Sequence, residues 1–222
     1  MPAGNSTEIV KKVGAQAVGA GIGLAVGGPP GAIIGAAAVP LIELMVARSE
    51  RRGRNLQAFT DSLTSISGMP PEQVAAWARQ DEQRQDLVAH ALEAAFAART
   101  TRKVEALAKV VSENLRDDAR LDISQMIVAA LEQLESPHIR VLHVFVHESP
   151  ADGPDCTWHC AGLKERLPGL ADGIMPLVAT LFRLGMITES TESEKDRLAW
   201  EPTRFGVTCL NYLEEPAASR RP

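Results

Sequence analysis

The hydrophobic pattern changes character twice along this chain. From Val13 to Ile42, thirty consecutive residues carry no charge, and glycine recurs at every fourth position: Gly19, Gly23, Gly27, Gly31 and Gly35. The segment GGPPG at 27–31 breaks this run with the strongest turn signal in the sequence, because Pro29 and Pro30 cannot continue a helix from its interior. The pattern predicts a helical hairpin over 1–50, with one helix before Gly27, a tight turn, and a second helix from Gly31 to Arg48. Over 51–135 the spacing becomes that of amphipathic helices. Leu56, Phe59, Leu63 and Ile66 form one stripe; Leu87, Ala91, Ala94 and Ala95 form another; Val104, Leu107, Ala108, Val111 and Leu115 form a third. MPPEQVAAWARQ starts a helix with proline in its first turn, and Asp122 to Leu134 gives a further helix with Ile123, Ile127, Ala130, Leu131 and Leu134 on one face.

From Ser136 to Glu215 the elements shorten. Ser136 reads as an N-cap followed by Pro137 at the first helical position, leading into IRVLHVFV. The loop ESPADGPDCT precedes short helices near Gly162–Leu167 and Asp172–Leu184, and Gly185 ends the second of them. MITES and DRLAWEPT read as two strands around an acidic hairpin, RFGVTCLNYLEE as a last helix, and 216–222 as a disordered tail. LVATLFRLGMI and LAWEPTRFGVTCLNYL resemble the end of a winged helix-turn-helix domain: a leucine-rich third helix, a glycine, a wing, and a Thr and Gly opening the final helix. The expected fold class is mostly α: a glycine-zipper helical hairpin (1–50), a helical domain (51–135) and a winged-helix-like α+β domain (136–215).

Composition narrows the function classes. Hydrophobic residues make up 45% of the 222, enough for a sizeable core, and aromatics only 4%, which favours packed helices over a β-sandwich. The formal net charge of −5 makes nucleic acid a poor default partner. The three cysteines, Cys156, Cys160 and Cys209, are too few and too odd in number for a disulfide framework and fit a reducing compartment. No small-x-small cleavage pattern follows the apolar run, so the cytoplasm, or the inner face of its membrane, is the expected location. GxSxG, Walker, dinucleotide and HExxH signatures are absent, and the expected class is not an enzyme.

Glycine costs roughly 1 kcal/mol relative to alanine inside a helix. Five in register therefore call for a close helix–helix approach that offsets them, as in a glycine zipper. Two readings stay open: membrane contact, or burial inside a soluble fold or a homo-oligomer interface. Each arm is shorter than the roughly 20 apolar residues of a full span, and the second arm contains Pro40 and Glu43. Lys11 and Lys12 before the run, and Arg48, Arg51, Arg52 and Arg54 after it, would keep both ends of the hairpin on the cytoplasmic side and meet anionic headgroups.

Other residues suggest further chemistry. His143 and His147 lie four apart on a predicted helix, and Cys156, His159 and Cys160 follow; these five are the candidate zinc ligands, although their spacing is not that of a zinc knuckle. Cys209 reads as a core residue. If the winged-helix-like segment bound DNA, Arg183 would be its main contact, but the acidic wing TESTESEKDR disfavours that and favours a protein partner. Asp117, Asp118 and Asp122 lack calcium-loop spacing and read as solvated or capping carboxylates.

VEALAKVVSENL (104–115) and LEQLESPHIRVLHVF (131–145) resemble the abortive-infection alpha-type family of bacterial proteins, a helical body followed by a small C-terminal domain. The resemblance covers the middle and last thirds of the chain. It implies a role in phage defence, with no catalytic residues to carry over. The expectation is thus a non-enzymatic, membrane-associated or membrane-inserting effector that self-associates. The alternative is a soluble winged-helix regulator or interaction scaffold with a helical oligomerisation domain.

Overall fold

A computed structural model describes residues 47–148, 157–190 and 198–214. The glycine ladder Gly19 to Gly35, Pro29, Pro30, Lys11, Lys12, Cys156, the tip of the acidic hairpin and the expected tail 216–222 lie outside the described residues. The chain divides into two compact units, Met1–Arg54 and Asn55–Pro222. Of the first, residues 47–54 are described; they are helical, with Arg48, Arg51 and Arg54 exposed.

The second unit is mostly helical with one small sheet. Helix α1 covers 55–67 and buries Phe59 and Leu63. Gly68, at φ +73°, ends it and returns its N–H to Thr64 O at 2.9 Å. Helices α2 (Pro71–Ala78), α3 (Glu82–Ala97) and α4 (Thr101–Asn114) follow, and a 3₁₀ turn, Asp118–Arg120, leads into α5 (Leu121–Gln133). Pro71 takes the first turn of α2, and the Asp81 side chain caps α3 by accepting from Arg84 N–H. Helix α4 is the centre of the fold. Its stripe of Val104, Leu107, Ala108 and Val111 is fully buried, and it packs against α3, α5 and α9.

Beyond these lie α6 (Ser136–His147), β1 (Trp158–His159), α7 (Cys160–Arg166), a 3₁₀ segment Pro168–Gly173, α8 (Ile174–Arg183), β2 (Ile187–Glu189), β3 (Ala199–Pro202) and α9 (Arg204–Glu214). The sheet is antiparallel in the order β1-β3-β2, with Trp158 paired to Trp200 and Thr188 to Glu201. Residues on both sides of position 135 enter one buried cluster that runs from Phe59 to Leu213. No helix among the described residues is long and apolar enough to cross a membrane.

Three local expectations need correction. Ser136 is the first residue of α6 rather than its cap; Glu135 is the N-cap, and its N–H donates to His138 Nδ1 at 3.1 Å. Burial, the largest influence, holds the His138 pKa below its usual value, consistent with a neutral ring accepting that bond. Ile123 and Met126 face outward on α5 while Ser124 is buried, because the helix turns its Ile127, Val128 and Leu131 side to α3 and α4. Strand β1 lies just after the loop ESPADGPDCT, where the sequence reading placed no element, and it exists through pairing with β3, some forty residues later.

A buried lysine closes α5. Lys103 is only 6% exposed, and its ammonium donates to Glu132 O at 2.6 Å and Leu134 O at 2.9 Å, the carbonyls a helix C-terminus leaves open. Desolvation lowers its pKa, against the opposing pull of Glu135 and Glu132. Lys103→Met, which keeps the stem and removes the donors, is expected to cost about 2 kcal/mol, seen as a lower urea midpoint. Because the unfolded chain holds this proton more tightly, stability from this group rises with pH between the lowered native pKa and the ordinary 10.5, and the variant should lose that rise. An unchanged midpoint and pH profile would contradict the capping role.

Candidate functional site

Three places gather the residues singled out by the sequence. The first is the basic segment 47–54. Arg48, Arg51 and Arg54 recur at three-residue spacing, so they fall on one side of a helix, and all are exposed. Arg54 Nη1 lies 4.0 Å from Glu50 Oε2, an exposed pair that contributes little. Arg52 is half-buried.

The second place is α8. Ile174, Val178 and Leu181 point into the core, which turns Met175, Ala179 and Phe182 outward; Met175 is 45% and Phe182 46% exposed. That outer face is apolar. Arg183, at its end, donates from Nη2 to Gln133 Oε1 on α5 at 2.9 Å. Beyond α8, Gly185 adopts φ +69°, as its position after the helix suggested.

The third place lies where α6 meets α9. Helix α6 buries Val141, Leu142, Val144 and Phe145, and this leaves His143 and His147, one turn apart, on the outside. Helix α9 buries Cys209, Leu210, Tyr212 and Leu213 and ends at Glu214 beside both rings. The Glu214 carboxylate spans the pair: Oε2 is 2.8 Å from His147 Nε2, and Oε1 is 3.6 Å from His143 Nε2. The two ring centroids are 4.7 Å apart. One ligand atom from each of the three residues falls within 4.8 Å of the others, and no other such group occurs among the described residues. His143 and Glu214 also line a cleft of about 400 Å³ whose wall includes Arg102 and Arg140.

The remaining candidates sit elsewhere. His159 belongs to β1, with Nδ1 at 3.2 Å from Leu198 O, and Cys160 is half-exposed as the first residue of α7. Neither joins the group formed by His143, His147 and Glu214. Cys209 is fully buried, and burial pushes its thiol up to about 12. Of the acidic clump, Asp117 caps the 3₁₀ turn through Ala119 N–H, Asp118 pairs with Arg84, and Asp122 accepts from Gln83. Glu214 was not among the sequence candidates. It lies 67 residues beyond His147, at the end of a final helix whose docking the local pattern does not specify.

No family model, no curated protein and no solved structure matches this chain.

Proposed function

We propose that this is a non-enzymatic, membrane-associated bacterial protein. A glycine-zipper hairpin over 1–50 reaches the bilayer, and a helical body remains on the cytoplasmic side. One observation carries the reading: thirty uncharged residues with glycine at every fourth position, closed at the C-terminal end by a basic segment that presents Arg48, Arg51 and Arg54 together. The phage-defence role implied by the resemblance of 104–115 and 131–145, or a toxicity role of the hairpin, belongs to the same proposal, with the chain self-associating through Gly19, Gly23, Gly27, Gly31 and Gly35. Flotation of the full chain with vesicles tests the headgroup contact. Each basic residue near an anionic surface contributes about 1 kcal/mol, so Arg51→Gln with Arg54→Gln should weaken binding to phosphatidylserine vesicles by roughly 30-fold and flatten its salt dependence. Equal recovery of both chains on anionic vesicles would contradict it.

A second reading has its own support. The element order α6, β1, α7, α8, β2, β3 with sheet order β1-β3-β2 supports a winged-helix-like C-terminal part. In that frame α8 is the third helix, and its exposed Met175, Ala179 and Phe182 suit a protein partner rather than DNA, which would call for Arg, Lys, Asn or Gln there. A soluble scaffold or regulator is this alternative. Salt-dependent binding of a native promoter fragment, lost in Arg183→Ala, would favour its regulator form.

A further inference from the structure

We infer that His143, His147 and Glu214 form a binding site for a divalent transition metal of the zinc class, with one coordination position open to the adjoining cleft. Histidines one turn apart on a helix present their rings to the same point, and here both direct Nε2 toward a single carboxylate. Two imidazoles and a carboxylate are a donor set that zinc accepts, at about 2.0–2.2 Å for each ligand, and tetrahedral ligands then stand about 3.4 Å apart. The two imidazole–carboxylate separations, 2.8 and 3.6 Å, lie either side of that figure, and one ligand atom from each of the three residues falls within 4.8 Å of the others. Binding therefore asks for side-chain adjustments on the ångström scale, not for movement of either helix.

The backbones that carry the ligands are held in place. Leu142 and Val144 flank His143 and are buried, and Leu213 before Glu214 is 5% exposed. The ligand side chains themselves are not sealed: His143 is 50% exposed, His147 42% and Glu214 31%. The site thus resembles a preorganised surface centre rather than a closed structural one, and ions can enter and leave. Three protein ligands leave a fourth position. His143 and Glu214 belong to the wall of the cleft, and Arg102 and Arg140 share that wall. An exogenous ligand reaching the metal from this side meets a wall that carries Arg102 and Arg140 and also Glu148, whose charge is paired with Arg166, so its chemical class is a small anion.

The ligand set differs from the one the sequence suggested. It keeps His143 and His147, takes Glu214 from the far end of the unit, and leaves His159 and Cys160 on the sheet side of the fold. That difference makes the inference testable independently of membrane association. The full chain, purified without a histidine tag and stripped with chelator, is titrated with zinc by calorimetry and with cobalt(II) by visible absorption. One metal per chain is expected, with the intense d–d bands of a cobalt ion of low coordination number. His143→Ala, His147→Ala and Glu214→Gln should each weaken zinc binding by at least about tenfold, while His159→Ala and Cys160→Ser leave it unchanged. All five positions are at least partly exposed, and an unchanged thermal melt of each metal-free variant confirms that a loss of binding is local. Azide added to the cobalt form should shift the bands, because it can occupy the open position. Binding well below one ion per chain, or binding that survives His147→Ala, overturns the site. A spectrum indifferent to azide overturns the open position.

Discussion

Gly206→Ala should destabilise the protein by about 3 kcal/mol or more, although alanine is the better helix former by about 1 kcal/mol. The reason is a close backbone approach. Gly206 lies in the first turn of α9, against the strand entry at Met186. A Cβ built on Gly206 would stand 2.1 Å from Met186 O, 2.9 Å from its carbonyl carbon and 3.0 Å from its Cα. These are backbone atoms, so no flexible side-chain end can give way. The carbonyl is also held by a hydrogen bond, because Thr203 N–H donates to Met186 O at 2.9 Å. Thr203 Oγ1 in turn donates to Gly185 O at 2.6 Å and accepts from Gly206 N–H at 3.0 Å. Moving Met186 would disturb the turn at Gly185, the start of β2 and the first turn of α9 together. The sign of the effect decides the matter: an open helix position gains stability from alanine, whereas this contact predicts a markedly lower urea midpoint. An unchanged or higher midpoint would mean that α9 and Met186 do not approach as described.

Gly23→Leu combined with Gly31→Leu should abolish self-association of the chain while leaving its membrane partition intact or raised. Leucine favours transfer of a helix into the bilayer by about 0.5 kcal/mol per residue, so added side chains do not expel the segment. What they block is the backbone approach for which glycines four apart leave room. Cross-linking of the detergent-solubilised chain reads assembly, and flotation reads partition. Loss of the cross-linked species with retained flotation is the expected pair of results. An undiminished oligomer would show that the ladder does not pack helix on helix between chains.

Much of the fold was legible because its signals are local. The stripe from Val104 to Val111 predicted α4 and its burial, Pro71 the start of α2, and Gly185 the end of α8. Thr203 and Gly206 marked the opening of the last helix, and the structure adds the reason, a shared set of hydrogen bonds around Met186. What the sequence withheld depends on distant partners. Trp158 and His159 form a strand only because Trp200 and Ala199 lie beside them. Ile123 shares a helical face with apolar neighbours by spacing, yet the orientation of α5 against α3 leaves it exposed. The site divides in the same way. His143 and His147 were visible as a pair one turn apart, whereas Glu214 joins them through the docking of α9 on α6, which no local pattern encodes. Cys160 and His159 are near in sequence and belong to another side of the fold.

In the function proposed above, residues 1–50 bring this protein to a membrane. Fractionation of cells expressing the intact chain and a chain lacking residues 1–50, with an alkaline carbonate wash of the membranes, tests it most directly. The intact chain is expected in the washed membrane pellet and the shortened chain in the soluble fraction. An intact chain recovered in the soluble fraction as a defined oligomer, or a shortened chain that stays in the washed pellet, would contradict it.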